Sequence, residues 1–186
     1  QIARALAHAH EHGVIHRDLK SANIIVSEQD DAKVLDFGIA QAVDTGRSAD
    51  NSTYADPGTT AGTLAYMAPE RLNGAPADAR SDIWSLGIVL YEMATGSLPF
   101  KGDTLFTLSA AILDRPIGPP DQALPARLAQ VIERCLEKRP ARRYQAASEV
   151  AASLETADPI EKRTERRWSW TWAAFAAGVL VAAVAA

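Results

Sequence analysis

The chain has 186 residues, 47% hydrophobic and 23% charged, which is enough to bury one core of ordinary domain size. A net charge of −4 excludes the dominant basic face of a nucleic-acid binder. The single cysteine, Cys135, excludes an intrachain disulfide or a CxxC site and reads as a buried helix residue.

In chain order, Ile2, Ala5, Leu6 and Ala9 fall at helical spacing and Gly13 follows as a stop, which predicts the end of an amphipathic helix over 1–12. The sequence opens inside that helix and closes in an apolar run, so a piece of a longer chain is expected. Two short β-prone runs, 24–26 and 33–35, flank a polar turn and predict an antiparallel hairpin. Residues 39–67 are polar, without periodicity, and long enough to predict a functional or disordered loop. Helix resumes after Pro69, and residues 82–93 are apolar on nearly every face, the mark of a helix buried on all sides. Pro116, Pro119, Pro120 and Pro125 mark an ordered surface crossing over 114–125. Leu128, Val131, Ile132, Cys135 and Leu136 then form one apolar stripe, and a short helix is predicted over 145–154. Residues 158–167 are rich in charge and read as a linker, whereas residues 168–186 carry none.

The chemistry gathers in two short strings. His16-Arg17-Asp18-Leu19-Lys20-Ser21-Ala22-Asn23 precedes the first strand, and Asp36-Phe37-Gly38 follows the second. One hairpin thus brings together two carboxylates and an amide, which can hold a hydroxyl and a divalent metal near phosphate. Phosphoryl transfer needs an oriented nucleophile and neutralised oxygens more than covalent chemistry. Downstream come Gly62-Thr63, then Tyr66-Met67-Ala68-Pro69-Glu70, Asp82-Ile83-Trp84-Ser85-Leu86-Gly87 and Pro140-Ala141-Arg142-Arg143.

In this order and spacing the strings closely resemble the eukaryotic-type protein kinases, in wording like the bacterial membrane-anchored Ser/Thr kinases, over about residues 1–155. The resemblance implies an α+β fold: a mostly helical C-terminal kinase lobe with a small β-hairpin. It implies ATP and Mg2+ as cofactors and protein substrates with Ser or Thr acceptors. Asp18 would orient the substrate hydroxyl, Lys20 would sit against the γ-phosphate, and Asn23 and Asp36 would bind magnesium. Lys20 and Thr63 would mark Ser/Thr preference, Thr63 by contacting Asp18 and Lys20. Arg17 would sense a phosphate or carboxylate on the activation loop, where Ser48, Ser52, Thr53, Thr59 and Thr60 are acceptors or only loop-formers. Glu70 and Arg143 would form a buried ion pair. Asp82 would accept backbone amides of the HRD loop, or serve only as a helix N-cap.

The expected organisation is a kinase lobe over 1–155, a juxtamembrane linker over 156–167 and the first part of a transmembrane helix over 168–186, with the lobe cytoplasmic. No G-x-G-x-x-G loop or VAIK lysine precedes the motifs, so the N-terminal lobe is expected to lie outside the sequence and this piece alone to be inactive. His8, His10, His12 and His16 lack the HExxH order of a metal site and are expected to be structural. The rival readings are a pseudokinase or scaffold lobe that only binds partners, and a membrane receptor defined by an outer domain. Antibiotic kinases share an HxD…N loop but lack the APE and DxWSxG strings.

Overall fold

The computed structural model describes residues 1–37, 61–118 and 124–155. Helix α1 (Ile2–Glu11) buries Ile2, Ala3 and Leu6 on one face. It is stopped by Gly13 at φ 74, a left-handed conformation that glycine adopts without a Cβ penalty. Strands β1 (Ile24–Val26) and β2 (Ala32–Val34) pair antiparallel, Ile24 opposite Val34 and Val26 opposite Ala32. The second strand begins one residue earlier than the apolar run 33–35 indicates. The Leu35 N–H donates to the Asn23 carbonyl at 2.8 Å, which continues the same register one step beyond β2 and ties the end of the strand to the HRD loop.

Residues 38–60, with Gly38 and all five activation-loop acceptors, lie outside the described residues. The end of the expected 39–67 loop is not irregular throughout, since α2 (Ala61–Leu64) is a helical turn. Pro69 then opens α3 (Pro69–Leu72), where its fixed φ suits the first helical position.

Helix α4 (Ala79–Thr95) is the centre of the lobe and extends beyond the expected 82–93 at both ends. Its start is set by a reciprocal cap between Asp78 and Ser81, and Gly96 at φ 72 ends it. Ile83, Trp84, Leu86 and Ile88 are all 0% exposed, which fits a helix that is apolar all round. Helix α6 (Ala126–Cys135) packs on α4, and α7 (Ala147–Glu155) packs on α1. Cys135 is buried, and burial pushes its thiol up to about 12. Helix α5 (Leu105–Asp114), which the periodicity did not single out, begins at a Thr104–Thr107 cap.

The fold is mostly helical with one two-stranded sheet, as expected for the lobe. Residues 119–123 of the proline-rich crossing lie outside the described residues, as do the linker and the 168–186 span. Among the described residues no helix is long and apolar enough to cross a membrane.

Candidate active site

The site is assembled around a carboxylate in the first turn of the buried helix. Asp82 is 1% exposed and accepts from the His16 N–H at 2.7 Å, the Arg17 N–H at 2.8 Å and His10 Nε2 at 2.8 Å. The N-cap of α4 is Asp78, so Asp82 is left for the loop rather than for its own helix. Arg17 sits at φ 72, a region that costs a non-glycine residue about 1–3 kcal/mol unless its surroundings over-determine it. Hydrogen bonds from two successive backbone N–H groups, of His16 and Arg17, to the buried Asp82 carboxylate supply that constraint. His16 holds the loop from the other side. Its Nε2 donates to the Leu35 carbonyl at 2.8 Å, its Nδ1 accepts from the Asp18 N–H at 3.3 Å, and its ring packs 4.7 Å from that of Phe37. The HRD loop and the residue before Asp36 are thereby locked together.

On this frame Lys20 Nζ donates to the Asp18 carboxylate at 2.8 Å and to the Thr63 hydroxyl at 3.1 Å. Thr63 meets Lys20 but, among the described residues, makes no hydrogen bond to Asp18 itself. Asn23 Nδ2 donates to the Asp18 carbonyl at 2.8 Å and lies 3.4 Å from an Asp18 carboxylate oxygen. With the amide nitrogen turned to those acceptors, the Asn23 carbonyl oxygen points the other way. Asp36, at φ 60, is exposed just past the end of β2, and among the described residues no hydrogen bond joins it to Asp18 or Asn23. An amide oxygen and a carboxylate are hard oxygen donors of the kind a magnesium ion takes, so the residues present fit that ion.

Behind the site, Arg143 is 1% exposed and meets Glu70 through two parallel bonds of 2.8 and 2.7 Å across 73 positions. Burial alone would push the Glu70 carboxyl up. The hydrogen bonds and charge of Arg143, joined by the Ser81 hydroxyl, outweigh it and hold the carboxyl below the usual range. Arg142 takes no part in this pair.

Sequence reasoning missed four contributors. His10 reaches Asp82 from 72 positions away, so it has a structural role of its own rather than sharing one with His8 and His12, whose rings are 4.4 Å apart. The described residues hold no group of three potential ligands for a metal. Ser21, Tyr66 and Glu92 are linked by short hydroxyl contacts that no local pattern announces.

The chain matches the family model described as protein kinase domain over residues 1–153. It is 42% identical over 157 residues to a probable serine/threonine-protein kinase of Clostridium acetobutylicum, covering 83% of this chain and 23% of that protein. Against the serine/threonine-protein kinase PknB of Mycobacterium tuberculosis it is 42% identical over 155 residues, covering 81% of this chain and 24% of that one. A probable serine/threonine-protein kinase of Corynebacterium efficiens is 40% identical over 161 residues, 83% of this chain and 24% of its own. The chain thus spans about a quarter of the length of these curated relatives. The HRD loop on its buried aspartate, the Lys20 bridge, the Glu70–Arg143 pair and a family match over nearly the whole described region all agree: this chain belongs to the protein kinase domain family.

Proposed function

We propose that the whole protein transfers the γ-phosphoryl group of ATP to Ser and Thr hydroxyls of proteins. The observation that carries this reading is the Lys20 bridge, 2.8 Å to Asp18 and 3.1 Å to Thr63. It sets an ammonium against the carboxylate at the point where a hydroxyl would be oriented for attack. Asp18 accepts the hydroxyl proton, and Lys20 faces the transferring phosphoryl oxygens. Asn23 and Asp36 would hold magnesium, which would neutralise charge on the phosphates. Asp82, His16 and Asn23 keep the Asp18 loop in one geometry, so no reorganisation is needed when charge moves. The printed names of the relatives support Ser/Thr rather than Tyr acceptors.

Arg17 is assigned the sensing of a phosphate or carboxylate on residues 48–60. Its Nε is buried with no hydrogen-bond partner among the described residues, as expected of a group whose partner comes from elsewhere. Residues 168–186 are assigned the first part of a membrane crossing, with the lobe on the cytoplasmic side.

Asp18→Asn in the whole protein tests the core of this reading. Turnover in a radiolabel assay is expected to fall about 10²- to 10⁴-fold, the usual contribution of a positioned base, with ATP affinity in a nucleotide titration nearly unchanged. Phosphoamino-acid analysis of the wild-type product should give phosphoserine and phosphothreonine. Retained turnover removes Asp18 from its role, and phosphotyrosine alone removes the acceptor class.

A further inference from the structure

The Tyr66 hydroxyl lies 2.6 Å from Glu92 Oε2 and 2.8 Å from the Ser21 hydroxyl. Tyr66 has one proton to give, and a carboxylate oxygen can only accept. The proton therefore goes to Glu92, and the Ser21 O–H must donate to Tyr66. The three groups form a chain with one direction, Ser21 to Tyr66 to Glu92. Each comes from a different piece of the lobe: Ser21 directly follows Lys20, Tyr66 lies two residues after α2, and Glu92 is in the last turns of α4.

We propose that this chain of hydroxyls makes Ser21 a positioning residue for the protein substrate, by tethering the segment around Tyr66 to the HRD loop. The inference rests on the kinase reading above. Thr63, on that same segment, contacts Lys20, and Ser21 is its chain neighbour, so two side chains in a row fasten one loop to the other. The Tyr66 backbone is held as well, its carbonyl accepting from the Ser85 hydroxyl at 2.9 Å. Tyr66 is thus fixed to α4 at both its carbonyl and its hydroxyl, and Ser21 is what joins that unit to the residues at the reacting hydroxyl. Burial raises the Tyr66 pKa and Glu92 raises it further, against a smaller opposing effect of Ser21, so the phenol keeps the proton the chain requires.

The tether acts on where an acceptor peptide lies, not on the nucleotide. Ser21→Ala in the whole protein is expected to raise KM for a protein or peptide acceptor about threefold to tenfold, the scale of one lost hydrogen bond. KM for ATP should hold within a factor of two, and Ser21→Thr, which keeps the hydroxyl, should restore the acceptor KM. Tyr66→Phe removes the same link from its other end. The double variant is then expected to match Tyr66→Phe alone rather than multiply the two effects. Hydrogen–deuterium exchange on the same proteins gives a readout without turnover, in which residues 64–67 should exchange faster in Ser21→Ala and not in Ser21→Thr. Unchanged exchange and acceptor KM in Ser21→Ala, or effects that multiply in the double variant, overturn the tether. Faster exchange in a protein that transfers no phosphate would sink the kinase reading and leave the tether standing.

Discussion

Every N–H of Arg143 is engaged: Nε with the Glu137 carbonyl, and the two terminal nitrogens with both Glu70 oxygens and the Arg80 and Lys138 carbonyls. An arginine has five such donors, so none is left unsatisfied in the core. Removing the guanidinium leaves the half-buried Glu70 carboxylate and three carbonyls without their partner. Arg143→Met is therefore expected to destabilise by about 3–5 kcal/mol, read as a drop in urea midpoint at unchanged m-value. A loss below 1 kcal/mol would mean the pair contributes little. The same pair gives an acid signature. The folded pKa of Glu70 lies below its ordinary value of 4.5, so its stabilisation is fully present above that pH and disappears as pH falls through the folded value. Glu70→Gln should trail the wild type by a constant margin near neutrality, and the two stability curves should converge below pH 4.5. At this scale the sequence was most legible where a motif stands in a local string. The Glu70–Arg143 pair was legible in that way, with Arg143 rather than Arg142 as the partner, and one string likewise puts Asn23 against Asp18. His10 and Ser21 were not found, because their partners lie 72 and 45 positions away and a lone polar residue carries no sign of them.

Helices α4 and α6 meet at Gly87. A Cβ there would stand 2.7 Å from the Cys135 Cβ and 3.0 Å from the Leu136 side chain. In an open helix Gly→Ala gains about 1 kcal/mol of helix propensity. Here the obstructing atom is a Cβ fixed to the opposing backbone, and overpacking costs about 1–3 kcal/mol. Gly87→Ala should therefore be destabilising on balance, and Cys135→Gly in the same chain should recover part of the loss because it removes the colliding atom. Thermal denaturation of both single variants and the double tests this, and simple additivity would mean that the helices do not touch there. The composition of α4 announced its burial, since a helix apolar on every face has no other place to go. The start of β2 was not legible because Ala32, which pairs with Val26, has low strand propensity, whereas Leu35 at the other end still bonds its register partner Asn23. Helix α5 was overlooked because its apolar residues are interrupted by Thr107 and Ser109, and its start depends on a Thr104–Thr107 cap rather than on a Glu or Gln at the third position.

For the whole protein, the lobe and the charge pattern beyond it argue for one geometry relative to a membrane. The proposed phosphoryl transfer draws on ATP, which is found in the cytoplasm, so the proposed orientation puts the lobe on that side. Lys162, Arg163, Arg166 and Arg167 lie immediately before Trp168, and basic residues collect on the cytoplasmic flank of a crossing helix. Trp168, Trp170 and Trp172 come next, suited to the headgroup layer, and the uncharged run to residue 186 follows. A full crossing takes about 20 predominantly apolar residues, and this run approaches that length. In the proposed crossing, the order lobe, basic cluster, tryptophans, apolar run would follow the compartments met on the way out. A periplasmic- or exterior-active reporter joined after residue 186 in the whole protein is expected to be active, and a cytoplasm-active one silent. The opposite pattern would overturn the crossing. Reversing the four basic residues to Glu should weaken the orientation and let a fraction of the cytoplasmic reporter report; an unchanged topology would mean that charge does not set the direction.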